Sequence, residues 1–358
     1  MASKLKRILT SILPSYRNGV AIQARIDDLD QRLTQRFNQL DFKTEYLFWL
    51  SQQHYAGKPD EDVRKSVFSM LPKAHGDTRM IQLTNLELLK RIKAVCADNQ
   101  IPFYLIFGNL LGAVRNQGFI PWDDDVDIAM LRGDYERLKA LLESDTTLRI
   151  VDVFSSHYHK FTKVKFRDSD TFFVDIFIMD VMDASPEQLA ERYDHLRRMN
   201  LQYVEQVSAF FRQEQLPMGD YQIPKEIPEL SEKMSAYFAE IIASCDYYNR
   251  GEYIVLGVDN APFVRDAFYV YEKKELLAPN TVMFEGLEFH AFGNVGIWLQ
   301  NVYGSYWSFP KNMMSGHGDL AKMSQADRDT IAKYLADEPE AEQWIEHCRS
   351  FGSDPIQF

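Results

Sequence analysis

Asp123, Asp124, Asp125 and Asp127 crowd into the stretch GFIPWDDDVDIAML, Gly118 to Leu131, which otherwise reads as a buried strand. Strand side chains alternate between two faces, so Asp125 and Asp127 share one face while Val126 and Ile128 share the other. At ~3.3 Å per residue the pair stands roughly 6.6 Å apart. Two carboxylates at about that distance repel by roughly 3 kcal/mol at an effective dielectric near 20. A divalent cation removes the repulsion, and an all-oxygen ligand set selects hard ions, Mg²⁺ or Mn²⁺. Two such ions about 3.5–4 Å apart can clamp the attacking and leaving oxygens of a phosphoryl transfer. Asp175, alone in FFVDIFI, adds a third carboxylate in a strand where it is costly unless paired or metal-bound. On an adjacent strand it would bind metal or take the proton from an attacking hydroxyl. Asp123 has the parity of Asp125, whereas Asp124 is expected to point away.

These carboxylates need a framework. The pattern predicts a helix through TNLELLKRIKAVCADNQ, with Thr84, Asn85 and Glu87 in cap-like order at its start. A short strand and a Gly-containing turn follow in IPFYLIFGNLLG, then a helical turn closed by Gly118. GDYERLKALLES reads as an amphipathic helix, and LRIVDVF and KFTKVKFR read as paired strands. FFVDIFIMDVM is another apolar strand. A helical segment is expected from Ser185, capped there with Pro186 at its first position, followed by the proline-rich connection LPMGDYQIPKEIPE. EYIVLGV, AFYVYEK and VMFEGLEFHAF read as strands and a hairpin, and NVGIWLQNVYGSYW as a helix ending at Gly304.

The chain's formal net charge of -12 disfavours bulk nucleic-acid binding. An acidic protein that handles phosphates needs bound cations or a local basic patch. Lys163, Lys165 and Arg167 alternate along one strand face near Asp175 and are the candidates for that patch. No run approaches the ~18 apolar residues of a membrane span, and the basic, broken N-terminus is not read as a secretory signal. Three widely spaced cysteines have neither disulfide-framework nor zinc spacing, which fits a reducing cytoplasm.

The segment FGNLLGAVRNQGFIPWDDDVDIAM resembles the signature of the LicD family, which includes phosphocholine transferases and the fukutin-related ribitol-phosphate transferases. KVKFRDSDTFFVDIF is similar to the family's segment with the later aspartate, and VGIWLQNVYGSYW to its C-terminal YG-aromatic segment. The likeness runs from about Asn85 to Phe309. It implies an α+β fold of the nucleotidyltransferase type, related to the palm of DNA polymerase beta: a small mixed sheet flanked by helices. It also implies transfer of a phospho-alcohol from a CDP-activated donor to a sugar hydroxyl of a cell-surface glycan or glycolipid, such as lipopolysaccharide, capsule or teichoic acid.

By that resemblance Asp125, Asp127 and Asp175 are catalytic residues and hold Mg²⁺ or Mn²⁺. Gly108 and Asn109 lie in the turn whose backbone N–H groups would hold the donor phosphates. Arg115 is placed to meet phosphate bidentately, with Lys163 and Lys165 as further donor contacts. Trp122, Asp123, Tyr303, Tyr306, Trp307 and His317 are candidates for the substrate pocket, and the aromatics could form a cation–π cage for choline. The alternatives are a nucleotidyltransferase that attaches NMP from an NTP to a small molecule or protein, and a non-catalytic scaffold of glycan assembly.

The expected organisation is an N-terminal helical arm (1–56), a linker (57–78) marked by Gly57 and Pro59, a catalytic domain (79–320) with a helical insertion at about 185–250, and a helical tail (321–358). In the arm, Ile8, Leu9, Ile12 and Leu13 lie at helical spacing beside Lys4, Lys6 and Arg7. That pattern suits docking on anionic lipid at the inner membrane face, or packing on protein. Ile22, Ile26, Leu29, Leu33, Phe37 and Leu40 recur at threes and fours. They suit a short coiled coil that joins copies of the chain, or packing on the chain's own domain.

Overall fold

The computed structural model describes residues 60–155, 159–182, 209–215, 220–223, 251–256, 270–309 and 323–351, with isolated helical positions at 43–51 and 188–239. The arm's apolar seam, nearly all of the helical insertion and His317 lie outside the described residues. The chain divides into two compact units, Met1–Met70 with Trp307–Met314, and Leu71–Tyr306 with Ser315–Phe358.

In the first unit, α1 (Asp60–Ser69) occupies sequence expected to be linker. The acidic run from Asp60 to Asp62 suits a helix N-terminus. Phe68 of α1 stacks on Phe309 at 4.6 Å and meets Trp307 at 6.1 Å.

The second unit is built on a mixed sheet. Its strands are β1 (Tyr104–Leu105), β2 (Asp127–Leu131), β3 (Leu148–Ser155), β4 (His159–Phe166), β5 (Phe173–Met182), β6 (Asp220–Ile223), β7 (Tyr253–Leu256) and β8 (Val270–Glu272). The order is β1-β2-β5-β4-β3-β6, with β7 pairing β5 and β8. The long β5 changes partner along one edge: Phe173–Ile176 pairs with β4 and Met179–Met182 with β7. Its other edge takes β2 in parallel, whereas the remaining pairs are antiparallel. β6 lies in the sequence expected to be only a connection. Its four residues fall between Pro217 and Pro224 at the sheet edge, where proline is tolerated.

Helices cover the sheet. They are α2 (Gly76–Asp98), α3 (Phe107–Asn116), α4 (Arg132–Glu143), the short α5 (Lys273–Leu276) and α6 (Val295–Tyr303). α2 begins two turns before Thr84. Thr84 is no cap: its hydroxyl donates to the Met80 carbonyl 2.7 Å away inside the helix. The run from Arg79 to Leu86 is buried on every side, so this half of α2 is a core helix with no periodic solvent face to betray it. The hairpin β9 (Thr281–Phe284) and β10 (Leu287–His290) turns on Glu285 and Gly286, both at positive φ. The expected tail forms α7 (Gln325–Tyr334) and α8 (Glu342–Phe351) around a 3₁₀ turn (Pro339–Ala341). It does not stand apart, because Ile331, Leu335, Ala341, Trp344 and Ile345 join the core.

Candidate functional site

Parallel pairing of β2 with β5 sets Asp127 directly opposite Asp175. Neighbouring strands are ~4.8 Å apart, so two carboxylates that are distant in sequence share one patch of sheet. Lys163 faces Asp175 from β4. Its ammonium lies 3.0 and 3.1 Å from the two carboxylate oxygens and over the Phe173 ring. Ahead of β2, residues 123–126 have left the strand. Parity therefore fails there, and Asp124 is not turned away as expected. One carboxylate oxygen from each of Asp123, Asp124 and Asp125 lies within 4.8 Å of the others, a spacing one divalent cation can bridge. The Asp127 carboxyl is pushed well above the usual carboxylate range, first by burial and then by Asp125, Asp175 and Asp123, with Lys163 opposing.

The loop's backbone is held from behind by side-chain amides. Gln82 on α2 donates to the carbonyls of Ile120 (3.2 Å) and Asp123 (2.7 Å). Asn85, one turn along, donates to the Asp124 carbonyl (2.9 Å) and accepts from the Phe173 N–H (3.1 Å). Asn109 on α3 donates to the Asp125 carbonyl (3.2 Å) and accepts from the Asp127 N–H (2.6 Å). The Asn109 side chain is thus committed to the aspartate backbone instead of turning outward to a phosphate. Gly108, in the first turn of α3, is where the chain allows close approach: a Cβ there would stand 2.3 Å from Asp123 Oδ2. Gln82 and Asn85 are site residues the sequence reading missed or misassigned. The available signal was two amides, i and i+3, inside an apolar helical run.

Arg115 is buried at the end of α3, and desolvation lowers its guanidinium pKa to about 10. Tyr303 and Tyr306 oppose that shift, so both hydroxyls lie in its electrostatic surroundings. Tyr303 is 40% exposed as a residue, yet its hydroxyl is desolvated. Burial, then Asp127, Asp123 and Asp125, hold it above the usual tyrosine range. Tyr303 thus adjoins the carboxylates, Arg115 lies by Tyr303 and Tyr306, and Trp122 is half-buried against the core.

The expected basic patch does not form. Lys163 is inside the carboxylate cluster. Lys165, desolvated with its pKa lowered, gives its ammonium to the Asp170 carbonyl. Arg167 closes the end of α4 through the carbonyls of Leu142, Glu143 and Asp145. Trp307 belongs to the other compact unit, where Lys65 lies 5.7 Å from its ring.

Residues 100–223, which include all five aspartates, match the family described as "LicD/FKTN/FKRP, nucleotidyltransferase domain". They form a LicD-family domain. The "Lipopolysaccharide cholinephosphotransferase LicD" of Haemophilus influenzae is 26% identical over 250 residues, covering 64% of this chain and 91% of that protein. An uncharacterized protein of Rickettsia prowazekii is 40% identical over 60 residues, covering 17% of this chain and 23% of its own length. A counterpart in Rickettsia typhi is 38% identical over 60 residues, covering 17% and 19%. Gln82, Asn85, Tyr303 and Tyr306 lie outside the residues matched to the LicD family, so the site is completed by helices that flank that domain in sequence.

Proposed function

We propose that the chain is a phosphocholine transferase: it moves phosphocholine from a CDP-activated donor to a sugar hydroxyl of lipopolysaccharide, using Mg²⁺ or Mn²⁺. The observation that carries this reading is the apposition of Asp127 and Asp175 beside the Asp123–Asp125 loop within a LicD-family domain. The name of the Haemophilus influenzae relative supports choline as the alcohol and lipopolysaccharide as the acceptor. The mixed sheet flanked by helices is compatible with a nucleotidyltransferase-type fold. Among the described residues no helix is long and apolar enough to cross a membrane.

The donor set fits a hard cation, being all oxygen and closely spaced, with Gly108 leaving the room that Asp123 occupies. Asp125, Asp127 and Asp175 would hold the ion, joined by Asp123 and Asp124. The bound ion supplies charge neutralisation at the transferring phosphoryl group. Arg115 meets the donor's phosphate oxygens, with Tyr303 and Tyr306 bordering it. The sugar oxygen forms a new bond to phosphorus as the bond from phosphorus to the CMP oxygen breaks. CMP leaves with that electron pair, and a carboxylate of the set takes the hydroxyl proton.

Incubation of the chain with CDP-choline, CDP-ribitol or CDP-glycerol, Mg²⁺ or Mn²⁺, and lipopolysaccharide, capsule or teichoic acid tests this. Metal-dependent CMP release with choline incorporated into lipopolysaccharide is expected. Pyrophosphate release from an NTP, with no CMP from any CDP-alcohol, would make the chain a nucleotidyltransferase instead. Absence of turnover on the full panel would favour a scaffold, and turnover left intact by Asp127→Ala in a folded protein would sink the metal-site reading.

A further inference from the structure

Three consecutive carbonyls, those of Asp123, Asp124 and Asp125, each accept a hydrogen bond from a different side-chain amide: Gln82, Asn85 and Asn109 in turn. The three amides are 0%, 2% and 1% exposed. Two of them also brace the strands that follow: Asn109 takes the N–H of Asp127, and Asn85 takes the N–H of Phe173, two residues before Asp175. Every acidic residue of the site is thus tied, directly or within two residues, to one of three neutral side chains.

Neutral amides close carbonyls elsewhere too, as Asn280 does for Phe292 and Gly293, but here three do so on consecutive residues. At other places the chain uses cations. Arg149 donates to Phe166 and Ser169, Arg137 to Asn99, Lys93 to Glu288, and Arg167 to the end of α4. A guanidinium or ammonium behind the aspartates would serve the carbonyls equally well, but its charge would oppose a cation in front of them. An amide supplies a donor and an acceptor with no net charge. The amide of Gln82 is itself oriented from outside. Its Oε1 accepts from Arg79 Nη1 at 3.2 Å, and Arg79 is fixed by Glu285 from the hairpin and Glu340 from the C-terminal segment.

We propose that Gln82, Asn85 and Asn109 are positioning residues for the cation: they fix the carboxylate-bearing backbone and add no positive charge to that of Lys163. This rests on the metal-dependent reading above, and the test separates the two. Mn²⁺ binding to the full chain, without donor or acceptor, is measured by electron paramagnetic resonance for wild type, Gln82→Met, Asn109→Ala and Thr84→Val. Gln82→Met keeps the volume and removes both donations. Asn109→Ala removes a clamp at the surface of α3 that faces the loop. Thr84→Val is the control, because this buried hydroxyl bonds only within α2 and its loss should lower the melting temperature without moving Mn²⁺ affinity.

The expected result is that Gln82→Met and Asn109→Ala each weaken Mn²⁺ binding at least tenfold, while Thr84→Val binds as wild type does. Either of the first two, if folded by circular dichroism, suffices. Wild-type affinity in a folded variant overturns the proposal and leaves the metal-dependent reading standing. Equal weakening by Thr84→Val would make the effect one of general stability and overturn it as well. Failure of the wild type to bind Mn²⁺ would sink both readings.

Discussion

Two buried charged clusters lie in the same compact unit and show opposite economies of charge. In the cluster of Asp127, five aspartates gather with the ammonium of Lys163 among them, and the Asp127 carboxyl is driven up. Beneath the β9–β10 hairpin, Glu285 and Glu340 meet Arg79 and Lys73, a balanced set. Arg79 contacts both carboxylates, at 2.9 Å to Glu285 and 2.8 Å to Glu340. Burial alone would raise the Glu285 carboxyl, but the hydrogen bonds from Arg79 and Lys73 and from the Phe119 N–H bring it below the usual range. Gly118 makes room for this cluster, since a Cβ there would lie 2.4 Å from Glu285 Oε1. A balanced buried cluster serves architecture: it anchors the entry to the aspartate loop at Phe119. An unbalanced one, held rigid by neutral amides, is built to be completed by charge from outside the chain.

The largest expected effect breaks the unbalanced cluster. Asp127→Asn should lower kcat/KM for the proposed phosphocholine transfer by about a thousandfold or more, since it removes a charge at the centre of the carboxylate set. The same change should stabilise the cation-free chain at neutral pH by roughly 1–3 kcal/mol, by relieving burial and repulsion of a carboxylate. Activity assays and thermal melts on one preparation check both. A variant that is less active and also less stable would place Asp127 in an ordinary structural role. Next comes the balanced cluster, where the signs reverse. Arg79→Met leaves Glu285 buried beside fewer partners and should cost about 3–5 kcal/mol, while each folded molecule keeps at least about a tenth of its activity. Denaturant unfolding with active-site titration separates the two quantities. A thousandfold loss of turnover at unchanged stability would erase the distinction drawn here.

pH sharpens the contrast further. Asp127 has a raised folded pKa, so above the ordinary carboxylate value near 4 the folded chain holds a proton that the unfolded chain has released. Its contribution therefore declines as pH rises from about 4 through the raised value. Glu285 has a depressed folded pKa, so its contribution is present above the ordinary glutamate value and is lost as pH falls through the folded one. The stability gap between Asp127→Asn and wild type should widen from pH 4 to 8. The gap between wild type and Glu285→Gln should narrow as pH drops below about 4.5. Melts across that range, without divalent cation, check the two slopes. Parallel curves would show that the clusters do not differ in charge balance.

The unbalanced half of this contrast is legible in the sequence. Asp127 betrays itself at the head of an apolar strand and Asp175 as a lone acid within another, and the two strands pair as neighbours. The α+β pattern and the hairpin follow from alternation and from Glu285–Gly286 between apolar runs. What escaped depends on context that periodicity does not carry. Parity misplaced Asp124, because β2 begins at Asp127 and the residues before it are irregular. Asn85 mimicked a cap, since the buried half of α2 has no polar face to fix its start. Lys165 and Arg167 looked like a basic stripe, but each found a carbonyl closer at hand than a ligand. Glu285 and Arg79, far apart in sequence, left no local signal of their partnership.

The smallest expected effect lies at the rim of the balanced cluster. Lys73 bonds Glu285 at 3.0 Å and Glu340 at 3.4 Å, yet its side chain is 60% exposed. Solvent screens such a contact, and ordering a long flexible side chain costs entropy, so Lys73→Met should change stability by less than about 1 kcal/mol. Arg79 carries the buried part of the same network with its side chain 4% exposed. A double-mutant comparison of Lys73→Met with Glu340→Gln, in low and high salt, isolates the exposed contact. Coupling that is small and fades with salt assigns the cluster's strength to its buried core. Coupling as large as that of Arg79 with Glu285, and indifferent to salt, would mean that the rim helps hold the loop, and that the charge balance reaches the surface through Lys73.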